Sequence, residues 1–185
     1  KRAVPPVEPR LPAARPATES FMQLAKDLVQ IFETEAKLDI NDMIMMILEA
    51  IFRGLVLDHV LFCMMTKDEQ FLQARTGLGA DSEELIQQFK FPLTMEGGPV
   101  RSVMLLQKDV FVEDRTLVAG YQGEFSKVVH DRAYAMIPII IKKKAIGCFF
   151  LGRLELPLAL GIPHKRLLLK LRDLLAEQLA NRGAQ

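Results

Sequence analysis

A chain of 185 residues, half of them apolar and a quarter charged, has the length and composition of one globular domain with appendages. Its 24 basic and 23 acidic side chains leave a formal net charge of +1, which argues against a general nucleic-acid binder. No apolar run reaches the length that spans a bilayer and no secretory signal is visible, so a cytoplasmic domain without a membrane partner is expected.

The chain starts at Lys1 without an initiator Met, and Pro5, Pro6, Pro9, Pro12 and Pro16 fall in a stretch with no periodic apolar face. Such a segment buries too little apolar surface to repay its ordering, so residues 1–17 read as a Pro-rich disordered linker. A tether at the front implies a covalently attached signalling domain ahead of it. Residues 18–37 read as a leading signalling or dimerisation helix. Ser20 and Gln23 have capping-box spacing, and Phe21, Leu24, Leu28, Phe32 and Ala36 lie at helical intervals. The domain proper is expected over 38–185.

Asp39 or Asn41 is placed to cap a second helix through the apolar run Met43–Phe52, with Gly54 as its stop. A strand follows at Val60–Met65, a turn at Lys67–Glu69 and an antiparallel return at Phe71–Arg75, after which Gly77 and Gly79 break the pattern. Short helices are expected after Ser82, over Pro99–Gln107 and over Glu124–His130, with a brief strand at Val110–Val112. Ala135–Ile141 and Ala145–Leu151 are apolar on both faces. A strand with one wet face alternates, so both sides of this sheet need a cover. The Leu-rich helix Pro163–Asn181 closes the chain. Two early strands, two late strands and short helices between them predict an α+β fold. Its single antiparallel sheet carries the N- and C-terminal helices on one face and short helices and loops on the other.

Several of these segments together resemble the GAF domain. They are Leu57-Asp58 before the first strand, Gly97-Gly98-Pro99-Val100 before Val110-Phe111-Val112, and Ile137-Pro138-Ile139-Ile140 paired with Ala145-Ile146-Gly147 and Leu151-Gly152-Arg153. Leu174–Ala180 resembles the terminal helix. The resemblance covers roughly residues 38–181 and is greatest to the GAF-like region that follows an HDOD domain in bacterial signalling proteins. It implies a non-catalytic regulatory or sensory domain with no cofactor. The alternative is a nucleotide or metabolite sensor, and an enzyme of the methionine-sulfoxide-reductase kind is a third reading. The family's cyclic-nucleotide pattern is absent: Phe125 is followed, after three intervening residues, by Val129-His130, with no Asn-Lys pair before it.

Candidate ligand contacts lie around the 89–131 insertion. Arg101, Arg115 and Arg132 offer forked donors for a phosphate or carboxylate, Ser102 and His130 offer polar groups, and Tyr121 and Tyr134 offer rings for stacking. His130-Asp131 has the composition of an oriented base, but neighbours in sequence rarely face each other on a helix and no nucleophile is placed beside them. His59, His130 and His164 are too scattered to predict a metal site. Cys63 and Cys148 read as buried thiols, with a bridge between neighbouring strands as the alternative. Lys142-Lys143-Lys144 is a solubilising turn on an apolar hairpin, without the aromatic platform that nucleic-acid binding needs. Two leucine-rich stripes predict a homodimer through the terminal helices: Phe21, Leu24, Leu28 and Phe32 on the first, and Leu168, Leu171, Leu175 and Leu179 on the last.

Overall fold

Strands apolar on both sides need two covers, and the fold supplies both. The computed structural model describes residues 17–35, 37–96, 98–117 and 123–183. Residues 1–16 of the Pro-rich linker, Ala36, Gly97 and Tyr121 lie outside the described residues, as do the side chains of residues 17–20 with the cap expected at Ser20, while Ala17 already belongs to the first helix. The elements run α1 (Ala17–Thr34), α2 (Ile40–Gly54), β1 (His59–Met65), β2 (Phe71–Gly79), α3 (Ser82–Gln88) and β3 (Lys90–Pro92). They continue with α4 (Pro99–Met104), β4 (Val110–Val112), α5 (Glu124–Val128), β5 (Ala133–Ile141), β6 (Lys144–Arg153) and α6 (Ile162–Gly183).

The strands form one sheet in the order β3-β2-β1-β6-β5-β4, and every neighbouring pair is antiparallel. β1 and β6 therefore occupy its centre. The fold is α+β, with α1, α2 and α6 on one face and the short helices α3, α4 and α5 with their loops on the other.

On the helical face, Val60, Phe62, Ala135, Ile137, Phe149 and Leu151 of the sheet meet Ile47, Ile51 and Leu171 of the helices in one continuous core. α1 packs on both α2 and α6. Asp39 caps α2 by accepting a 3.0 Å hydrogen bond from the Asn41 amide, which satisfies one otherwise free donor. Gly54 closes α2 for a different reason from the one its position suggests. A Cβ there would stand 2.7 Å from the Phe21 Cα, so glycine lets α1 cross close to α2.

The roofed face has its own core, in which Leu61, Cys63, Tyr134, Met136, Cys148 and Phe150 of the sheet meet Phe89, Val100, Val103, Met104 and Phe125 of the cover. Val100, Val103 and Met104 are the inward positions expected of α4. Gly77 does not interrupt β2, which continues to Gly79 and pairs with β1 through the His59–Gly79 position. A Cβ at Gly77 would come within 2.5 Å of the Leu61 side chain, so the glycines keep the strand close to its neighbour. α5 ends at Val128, leaving His130 in the link before β5. No helix among the described residues is long and apolar enough to cross a membrane.

Candidate functional site

The space between the sheet and its roof is where a ligand was expected, and side chains fill it. Phe89 stacks edge-on against Phe91 at 4.9 Å between ring centroids and lies 5.2 Å from Phe150. Phe125 reaches Phe91 at 5.2 Å and Tyr134 at 5.5 Å, and Tyr134 stacks on Phe150 at 5.9 Å. These five rings come from β3 and the residue before it, α5, β5 and β6. Aromatic packing of this kind combines a large buried area with favourable ring geometry. Tyr134, expected as a stacking platform, is fully buried within this cluster.

The arginines expected to grip an anion are occupied by the chain itself. The Arg115 guanidinium donates to the Val129 carbonyl at 2.8 Å, the Asp131 carbonyl at 3.1 Å and Ser126 Oγ at 2.7 Å. It also lies 5.9 Å from the Tyr134 ring centroid. It ties the segment after β4 to α5 and to the link before β5. Arg132 makes a forked pair with Asp114, Nε to Oδ1 at 3.1 Å and Nη2 to Oδ2 at 2.7 Å, and donates to the Glu155 carbonyl at 3.0 Å. The Arg132 hydrogen bond, aided by Thr116, holds the Asp114 carboxyl well below the usual carboxylate range, and Asp114 in turn raises Arg132. Asp114 is covered by its loop partners yet lies near the surface, so solvent screens the pair. Arg101 is exposed on α4, Ser102 is half-buried, and His130 is exposed.

Asp131 does not work with its sequence neighbour His130. It faces His59 at the start of β1, Oδ2 to Nε2 at 2.6 Å, with side chains 1% and 5% exposed. The approach is short but poorly directed, so neither atom has a well-aligned hydrogen-bond partner. Gly152 of β6 makes room for it, because a Cβ at that position would overlap Asp131 Oδ2. The pair lies at the base of an open cleft of about 420 Å³, flanked by Asp81, Glu84 and Gln88 around α3 and by Lys127 and His130 around α5. Sequence spacing offered no signal for this pairing, which joins residues 72 positions apart.

The remaining charged and apolar candidates are also placed. Lys144 pairs with Glu69 across two exposed turns at 2.6 Å, while Lys142 and Lys143 point to solvent. His164 is buried and stacks on Phe21 at 6.1 Å. Among the described residues no three His, Cys, Asp or Glu side chains converge as a metal-ligand set. Phe21, Leu28, Phe32, Leu168, Leu171 and Leu175 are buried in the chain's own helical core, while Leu24 and Leu179 stay partly exposed. Leu24 lines a shallow groove of about 260 Å³ between α1 and α2, with Leu28, Ile31, Met46 and Ala50.

No family model and no curated protein matches this sequence. Solved structures do match its shape. The GAF domain of an Acinetobacter phosphoenolpyruvate-protein phosphotransferase superposes with a TM-score of 0.70 at 15% identity, covering 88% of this chain and 94% of that one. The chain has the fold of a GAF domain. A GAF domain/HD domain protein from Geobacter sulfurreducens matches with a TM-score of 0.62 at 10% identity, over 80% of this chain and 95% of that one. Free methionine-R-sulfoxide reductase from Neisseria meningitidis, solved with its substrate, matches with a TM-score of 0.65 at 12% identity, over 94% of this chain and 96% of that one. The same fold thus occurs in a domain of a phosphotransferase and in a reductase, and function rests on the site.

Proposed function

We propose that this chain is a non-catalytic regulatory domain of a bacterial signalling protein, which passes conformational state through its terminal helices. The observation that carries this reading is the aromatic cluster of Phe89, Phe91, Phe125, Tyr134 and Phe150, which fills the space a ligand would occupy. Arg115 and Arg132 reinforce it by spending their donors inside the fold. The likeness to a GAF domain/HD domain protein supports a place beside other domains, and we place this one behind an HDOD domain, joined by the Pro-rich 1–17 segment. A signal from α6 would reach α1 and then the tether, because α1 packs directly on α6.

Dimerisation belongs to the same reading. With most of the two leucine stripes committed to the core, the contact surface is the α1–α2 groove around Leu24, Ile31 and Met46. Its rim carries Asp27, Glu49 and Arg53, a mixture of signs that a second copy can complement. Native mass spectrometry followed by denaturing analysis of the same sample tests the proposal. A dimer free of any stoichiometric small molecule is expected. A retained molecule, released on denaturation, overturns the ligand-free reading.

The second reading is a metabolite or nucleotide sensor, and the cleft over His59 and Asp131 favours it. Ligand-dependent protection of residues 81–88 and 123–131 in hydrogen exchange would establish it. Unchanged exchange across a panel of nucleotides and metabolites at millimolar concentration would remove it.

A further inference from the structure

Cys63 on β1 and Cys148 on β6 are register partners in the centre of the sheet. Both are fully buried, both belong to the roofed core, and both are free thiols. Burial pushes the Cys63 thiol up, and the neighbouring Cys148 thiol adds to that shift.

Directly opposed residues on antiparallel strands hold their Cβ atoms about 4.5–5.5 Å apart. A disulfide needs roughly 3.5–4.5 Å, so closing a bridge here takes an approach of about 1 Å. Three local features make that approach easy. On the outer side of Cys63 the β1–β2 register shifts between Phe62 and Cys63, a bulge that loosens the ladder there. On the outer side of Cys148 stands Pro138 of β5, which has no N–H to donate. Beside Cys148, Gly147 already lets β6 approach β1, since a Cβ there would overlap the Cys63 carbonyl oxygen. Each cysteine is therefore least restrained on the side away from its partner.

We propose that Cys63 and Cys148 form a peroxide-oxidisable dithiol that closes into a cross-strand disulfide between β1 and β6. The thiolate of one cysteine attacks a peroxide oxygen, the O–O bond breaks, and the departing hydroxide takes up a proton to leave as water. The resulting sulfenic acid is attacked by the second sulfur, which loses its proton as the S–O bond breaks and a second water leaves. Two thiols and one hydrogen peroxide thus give one disulfide and two waters, with two electrons passing from sulfur to oxygen. Hydrogen peroxide is uncharged and close to water in size, which suits a buried target. Because burial keeps the thiol protonated, the first step is slow and the pair records sustained oxidant rather than a brief pulse. The bridge would lock together the two central strands, one of which begins at His59 beside the cleft while the other leads toward α6.

The test treats the folded, reduced chain with hydrogen peroxide, blocks remaining thiols with N-ethylmaleimide under denaturing conditions, and maps non-reduced peptides by mass spectrometry. A peptide carrying Cys63 should appear linked to one carrying Cys148, two hydrogens lighter than the separate pair and released by dithiothreitol. Methionine oxidation adds oxygen and is resolved in the same map. Maleimide on both cysteines, sulfinic acid without a bridge, or linkage only between two chains would each overturn the proposal. So would a bridge that forms only when guanidinium is present during oxidation.

Discussion

At Gly152 the absent side chain has a structural purpose, since a methyl group there would overlap Asp131 Oδ2 and crowd His59 Nε2. Gly152→Ala should therefore cost about 1–3 kcal/mol, the range of small-to-large changes in a packed interior. Urea melts of the single variant, of Asp131→Ala and of the double variant check this. The cost of the glycine change should shrink when Asp131 has been truncated. The Asp114–Arg132 fork makes a pH prediction. The folded state holds the Asp114 carboxyl below its unfolded value, so the pair's stabilisation is present above the ordinary carboxylate pKa of about 4 and is lost as pH falls. Asp114→Asn should lower Tm at pH 7 relative to the parent, and the gap should narrow on acidification toward pH 3. A constant gap would mean that the carboxylate charge contributes nothing.

Elements divide into those that local pattern describes well and those that contacts define. The α2 cap at Asp39, β4 and the inward face of α4 follow from capping chemistry, a short apolar run and helical spacing. β2 runs through Gly77, where the sequence argues for a break, because that glycine serves close contact with β1, and it ends at Gly79. The leucine stripe of α6 shows a similar limit. Spacing marks Leu168, Leu171 and Leu175 as one apolar face, but whether that face meets its own chain or another depends on where α1 lies. Leu171→Ala should destabilise by about 2–5 kcal/mol, as for other fully buried leucines. Leu24→Glu, at the partly exposed groove, should keep the circular dichroism spectrum and give a monomer by light scattering. Unfolding by Leu24→Glu would assign that side chain to the core instead.

Across the whole molecule, stability is expected to concentrate where both covers overlap. β1, β5 and β6 lie between the two cores, whereas the three-residue strands β3 and β4 form the edges. Hydrogen exchange should be slowest in β1, β5 and β6 and faster by orders of magnitude in α3, which has no fully buried side chain. Equal protection of α3 and β6 would show that the domain opens only as one unit. Hydropathy and periodicity, which act between neighbours in sequence, were enough to define an α+β chain with a two-sided sheet, helices on one face and a roof on the other. The site needed more. The filling of the roofed space by five rings, the meeting of His59 with Asp131, the capture of Arg115 by the Val129 and Asp131 carbonyls and the facing of Cys63 by Cys148 all join residues far apart along the chain. Such contacts are set by strand order and register, and those emerge only when the two faces are packed.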